Sequence, residues 1–335
     1  MRTTAELEER LARPSPGLVD DLARLDGDIM ILGAGGKLGP SLVRLALNAT
    51  GRDRRVIAVS RFSEPGLAES LQSEGATVIS ADVADKKVLA ELPDVPHVVF
   101  LVGAKFGTQG SEHTTWFTNT FVPGQVADRF RGARIAALST GNVYPLVPVT
   151  SGGSTEDSPV GPVGDYAMSC LGRERVLTHF SGSTGTAMSL IRLNYAVELR
   201  YGVLVDLAQK VLAGEPIDLT TGQVNVVWQG YANEVTLRSL LHADTPPFVL
   251  NVTGPELISV RQAAQALGAA LGKEPVFTGE EAPTALLSNA SRCHRLFGYP
   301  GLTPAELIEH TARWVADGGP LLGKPTKFER RDGRF

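Results

Sequence analysis

The sequence predicts an α/β fold, a doubly wound parallel sheet carrying a smaller C-terminal lobe, and three observations support this. An apolar run, Asp28-Ile29-Met30-Ile31-Leu32, stops in a cluster of glycines and restarts as the helix-like stretch 41–47. Short β-branched runs then alternate with helical patterns as far as Arg192, the rhythm of a parallel sheet covered on both faces. Beyond Asn194 that rhythm gives way to Gly-, Pro- and Thr-rich segments with isolated elements, as expected of a second, smaller lobe.

The glycine cluster is the most informative element. Gly33, Gly36 and Gly39 are spaced GxxGxxG, with Lys37 and Leu38 between the last two. A glycine turn between strand and helix lets a pyrophosphate approach the main chain and points free N–H groups at it, so this turn is read as a dinucleotide cradle. Strands are expected at 55–60, 76–80, 97–102, 134–139 and 187–192, with helices at 64–74, 85–91, 116–131 and 166–181. The later part predicts helices at 203–213, 234–242, 259–271, 291–297 and 304–316, and strands at 225–228 and 248–252. Two short helices, 4–12 and 17–25, precede the first strand as an appended surface element or part of an interface. The expected organisation is a helical extension (1–26), a dinucleotide-binding domain (27–193, with 225–253 returning to it), a small substrate-binding lobe (194–224 and 254–317) and a surface tail (318–335).

The chain has 335 residues, 43% of them hydrophobic, enough for a large core. Lys and Arg total 32 against 36 Asp and Glu, a balance that leaves no footprint for nucleic acid or an acidic membrane surface. Two cysteines without CxxC spacing and six unclustered histidines predict neither metal nor disulfide. The charged start and the lack of a run of roughly 18 apolar residues predict a cytoplasmic protein without a membrane segment.

Taken together, several segments resemble the extended short-chain dehydrogenase/reductase family, the NAD(P)-dependent epimerase/dehydratase group, over about residues 28–316. In order, they are the glycine turn, Ala81-Asp82-Val83, Val102-Gly103-Ala104, Asn119, Leu138-Ser139-Thr140-Gly141-Asn142-Val143-Tyr144, Tyr166, Arg192-Leu193-Asn194-Tyr195, the segment 291–299 and Trp314. The resemblance implies a Rossmann fold, hydride transfer at a carbinol or ketone carbon of a sugar-like or other small metabolite, and a homodimer built on helices 116–131 and 166–181. It also implies that Asp82 and Val83 contact adenine and that Val102, Gly103 and Ala104 lie along the cofactor. Where an acid after the second strand would accept from the adenosine ribose, this chain has Ser60-Arg61, and an Arg pairs with a 2′-phosphate; NADP is therefore expected over NAD.

By position, Thr140 matches the family's oxygen-orienting Ser or Thr, and Tyr166 its proton-transferring Tyr. The family's Lys four residues beyond that Tyr, which binds the nicotinamide ribose and lowers the phenol pKa, is replaced by Cys170. Three readings are open: another cation, best Lys105, takes the lysine's place; Tyr166 and Thr140 work without it; or turnover is lost and an NADP-binding regulatory or partner protein remains. Arg173 lies one turn beyond Cys170, but spacing alone does not bring its charge into the site. Asn142, Tyr144, Asn194 and Tyr195 are the expected substrate contacts, with Phe106, His113 and Trp116 as further candidates for a ring-binding pocket. The loop 145–165 has the composition of a mobile lid. Gln229-Gly230-Tyr231-Ala232-Asn233 stands where nucleotide-sugar enzymes usually carry an acidic pair, which weakens a nucleotide-sugar substrate.

Overall fold

The computed structural model describes residues 1–51, 54–105 and 110–334. Seven parallel strands form the central sheet: β1 (Ile29–Leu32), β2 (Val56–Ser60), β3 (Thr77–Ser80), β4 (His97–Phe100), β5 (Arg134–Thr140), β6 (Met188–Leu193) and β7 (Phe248–Val252). Their spatial order is β7-β6-β5-β4-β1-β2-β3. All four residues of β1 are buried, as a central strand covered on both faces requires. Because the order reverses between β1 and β4, the chains leaving their carboxyl ends diverge and open a crevice there. A Cβ built on Gly33, at the end of β1, would lie 3.1 Å from the Val102 nitrogen beyond β4, so the two crevice walls touch.

Helix α3 (Gly39–Thr50) follows the glycine turn, α4 (Leu67–Ser73) joins β2 to β3 and α5 (Lys86–Glu91) joins β3 to β4. The helix expected at 116–131 is broken: α6 (Glu112–Trp116) passes through a π-helical turn (Phe117–Phe121) into α7 (Val122–Arg129). Pro123 supplies the reason, since it has no N–H for the carbonyl of Asn119 four residues back. That carbonyl accepts instead from Arg173 Nε, at 3.1 Å. Helix α8 (Gly164–Thr184) then runs along β5 and carries Tyr166, Cys170 and Arg173.

The C-terminal lobe packs α9 (Val203–Ala213), α11 (Val260–Leu271) and α13 (Pro304–Ala316) together, while α10 (Gln229–Arg238) returns to α3. Helix α10 begins five residues earlier than the apolar pattern suggests, at Gln229, whose amide donates to Ser41 Oγ at 3.0 Å. The lobe also holds short pairings that the sequence does not announce, 216–218 with 276–278 and 147–148 with 284–285.

Both termini depart from expectation. Helices α1 (Thr4–Leu11) and α2 (Pro16–Ala23) bury Leu7, Leu11, Leu18 and Leu22 in the cores of the lobe and the sheet domain. Glu8 of α1 pairs with both Arg44 and Arg200, tying the two parts together. The tail is no surface extension either: Phe328 is 1% exposed and Thr326 is buried. It crosses the mouth of the cleft and is anchored by Asp206, whose carboxylate accepts from the Thr326 amide at 2.8 Å, and by a Lys210–Glu329 ion pair at 2.6 Å.

Candidate active site

The glycine turn forms the floor of the crevice. Gly33 has φ +93°, a conformation that side chains resist, and Gly36 N–H donates to its carbonyl at 3.0 Å. A Cβ on Gly39 would lie 2.3 Å from the Ala34 carbonyl oxygen, so glycine there lets α3 sit against the turn. A Cβ on Gly36 would meet only the Gly33 oxygen, at 3.2 Å, and would otherwise fill the cradle. Leu38 caps α3 with no side-chain hydrogen bond, while Gly39 N–H donates to the Gly36 carbonyl at 3.1 Å and Pro40 has no N–H to offer. These features fit a dinucleotide pyrophosphate.

Around this floor, Arg61 is mostly exposed at the lip, 4.0 Å from Asp82 Oδ2. Asp82 Oδ1 accepts from the Ala84 amide at 3.0 Å, closing a turn, while Val83 is buried against the sheet. Gly103 leaves no room for a side chain, since a Cβ would lie 2.9 Å from Arg173 Nη2. Both polar groups of Ala104 bond the Asn119 amide at 2.8 Å. Lys37 turns away from the glycine loop: its ammonium donates to the Ala196 carbonyl at 2.8 Å and lies 3.7 Å from the centre of the Tyr201 ring. Burial lowers its pKa to about 7, against the opposing pull of Glu198.

At the far end of the crevice Thr140, Tyr166, Cys170 and Lys105 come together. The Tyr166 hydroxyl is hydrogen-bonded to Thr140 and to Cys170. Thr140 Oγ1 also accepts from Asn142, from the amide nitrogen at 3.2 Å and from Nδ2 at 3.0 Å. Cys170 is 1% exposed and packs with Val143 and Tyr144, and burial pushes its thiol up, so it is a neutral group. Burial and the adjacent Cys170 raise the Tyr166 phenol, while Arg173 and the Thr140 bond act the other way. Lys105 enters from the β4 side, with its ammonium 5.8 Å from the centre of the Tyr166 ring and 3.4 Å from the Thr326 carbonyl oxygen of the tail. Burial lowers its pKa to about 8.

Asn119 and Arg173 hold this group in place. Arg173 is buried and donates to the Asn119 carbonyl, to Asn119 Oδ1 at 3.0 Å and to the Leu138 carbonyl at 2.5 Å. Asn119 Nδ2 also donates to Ser169 Oγ at 3.0 Å, and Ser169 Oγ to the Tyr166 carbonyl at 2.8 Å. Below, Glu174 accepts from Arg192 at 3.0 and 2.7 Å and from Ser139 at 2.6 Å, locking α8 to β5 and β6.

The expected substrate contacts divide. Asn142, Tyr144 and Tyr195 line a cavity beside Thr140, but the Tyr144 hydroxyl donates to Asn251 at 2.8 Å and accepts from Arg192 at 2.7 Å. Tyr195 has φ +41° and borders the same cavity as Phe328 of the tail. Asn194 is buried with its side chain against Gly141. Trp116 faces the outer side of α7 and α8 and donates to Asp165 at 2.8 Å; Phe106 lies outside the described residues. The loop 145–165 is pinned rather than poised as a lid: Asn251 Nδ2 donates to the Ser154 carbonyl at 2.9 Å and the Asn251 amide to Glu156 at 3.0 Å. Sequence reasoning missed the tail, whose Phe328 and Arg331 wall the same cavity; no periodicity or motif in 318–335 announces it.

The profile of the family described as "NAD dependent epimerase/dehydratase family" matches residues 29–235. The chain belongs to this family. Epimerase/dehydratase membership accounts for the order of the sequence motifs and for a sheet with nucleotide-cradling glycines. No curated protein matches the sequence. Among solved structures, the UDP-glucuronic acid 4-epimerase of Bacillus cereus in complex with NAD is 19% identical (TM-score 0.72), over 86% of this chain and 99% of that one. The dTDP-glucose 4,6-dehydratase of Streptomyces venezuelae with NAD bound is 18% identical (TM-score 0.72), over 86% and 96%. Pal from Bacillus thuringiensis is 15% identical (TM-score 0.72), over 86% and 98%. These likenesses show the fold of an epimerase/dehydratase.

Proposed function

We propose that this protein is an NADP-dependent oxidoreductase or epimerase acting at a carbinol or ketone carbon of a small metabolite, with Lys105 in place of the family's lysine. The carrying observation is the meeting of Lys105, Tyr166 and Thr140 at one end of the crevice. Tyr166 gives or takes the proton of the reacting oxygen, and Thr140, oriented by Asn142, holds that oxygen by hydrogen bonding. Lys105, protonated below about pH 8 and 5.8 Å from the centre of the Tyr166 ring, favours the phenolate by its charge. Cys170 supplies packing only. Gly33, Gly36 and Gly39 receive the pyrophosphate, and the exposed Arg61 pairs with a 2′-phosphate. When bound, the nicotinamide supplies or accepts the hydride.

A second reading, an NADP-binding protein without turnover, draws on the neutral thiol at the lysine position. Titration with NADPH and NADH, followed by NADPH oxidation across a panel of ketones, keto acids and sugars, separates the two. Oxidation by a panel member that Tyr166→Phe abolishes supports the enzyme; tight NADPH binding with no turnover supports the second reading. We also propose a homodimer. The outer face of the π-turn, α7 and α8 exposes Phe117 and Phe121 beside Trp116 of α6 and Phe180 of α8, an apolar surface that a second copy would cover.

A further inference from the structure

Beside Thr140 and Asn142 lies a cavity of about 30 Å³, closed by the C-terminal tail. Among the described residues its walls carry no carboxylate and two guanidinium groups, Arg330 and Arg331. Arg330 is exposed, but Arg331 is half-buried and fixed. Its Nη1 donates to the Thr284 carbonyl at 2.8 Å and the Thr220 carbonyl at 3.4 Å, and its Nη2 to Thr284 Oγ1 at 2.7 Å. Every acceptor is a neutral oxygen, so no carboxylate bonds this guanidinium directly among the described residues, although Arg331 also borders a larger cavity lined by Asp206, Asp218 and Glu329. These bonds leave Nε–H and one Nη2–H, donors that carboxylates and phosphates accept side by side.

The tail that carries Arg331 is built into the cleft. Gly333 and Gly164 cross backbone to backbone at the start of α8, both with positive φ, and a Cβ on Gly333 would lie 2.1 Å from the Val163 oxygen. Phe328 is sunk in the lobe core, and Thr326 is tied to Asp206. The cavity has room for a group of a few heavy atoms, not for a sugar ring. Asn142 both lines it and bonds Thr140, so it lies next to the place of the reacting oxygen.

We propose that Arg331 anchors an anionic group of the substrate, a carboxylate or a phosphate, while the carbon to be oxidised or reduced lies at Thr140 and Tyr166. The substrate class is then a hydroxy or keto acid, or a phosphate ester, whose charged end enters beneath the tail. This inference rests on the reading of the cleft as a reductase site.

The test is calorimetric titration of the full chain, saturated with NADP+, with acetate, inorganic phosphate and neutral methyl acetate. Acetate or phosphate should bind and methyl acetate should not, and whichever anion binds more tightly identifies the head group. Arg331→Gln should weaken the anion at least tenfold, and Arg331→Lys should restore part of the loss. Hydrogen exchange at the Phe328 amide shows whether the tail stays seated in each variant. Gly333→Val, which dislodges the tail but keeps the arginine, should also lose the anion. The inference is overturned if neither anion binds, if methyl acetate binds as well as acetate, or if Arg331→Gln with the tail seated binds the anion as wild type does. Loss of NADP+ binding itself would instead overturn the reductase reading.

Discussion

Lys105 and Tyr166 meet across the crevice, the ammonium 5.8 Å from the ring centre, although they are 61 positions apart in the chain. On the proposed reading, the charge that the family places one helical turn below its tyrosine arrives here from the opposite wall. Lys105→Met should lower kcat about 100-fold or more, in the range of lost acid–base assistance, with NADPH affinity changed only severalfold. Cys170→Ala should change kcat less than about fivefold, because a buried neutral thiol contributes packing. Steady-state kinetics on an active panel substrate check both.

The buried lysine also sets a pH limit. Its pKa of about 8 lies below the ordinary lysine value of 10.5, so the cation is lost as pH rises through about 8, and turnover should fall there with a one-proton slope. Lys105→Arg should extend activity to higher pH. Between pH 8 and 10.5 the unfolded chain holds this proton more tightly than the folded one, so the cost of burying the cation is present in full below about pH 8 and is relieved as pH rises across that window. Denaturant midpoints of wild type and Lys105→Met at pH 7 and pH 10 measure the difference.

On the proposed NADP reading, Arg61 pairs with the 2′-phosphate of the cofactor. Arg61→Ala should weaken NADPH at least tenfold, the scale of a charge-assisted pair with phosphate, and leave NADH within about twofold. Fluorescence titration with both reduced cofactors gives the ratio.

Phe328 tests the tail. Phe328→Ala should cost about 3 kcal/mol or more in unfolding free energy, because it empties a fully buried aromatic site. A solvated tail would show no loss in a urea melt.

Much of this was legible in the sequence because the relevant physics is local. The β-branched runs and the glycine turn fix strands and cradle, and the ends of α9, α12 (Ser291–Phe297) and α13 fall where apolar spacing and Thr303-Pro304 place them. What was not legible depends on distant partners. The π-turn at Asn119 exists because Pro123 frees a carbonyl that accepts instead from Arg173, 54 residues away. Lys37 looked like part of the cradle, yet its ammonium is drawn to the carbonyl of Ala196, 159 residues on. The tail reads as Gly, Pro, Lys and Arg, and its place over the cleft depends on distant partners, Asp206 for Thr326 and Gly164 for Gly333.

The central claim is that Lys105 does the work of the lysine missing from position 170. The most direct measurement is NADPH oxidation, with an active panel substrate, by wild type, Lys105→Met and the double variant Lys105→Met/Cys170→Lys. A loss of about 100-fold in the single variant and recovery of at least tenfold in the double variant are predicted. Wild-type rates in Lys105→Met would contradict the account.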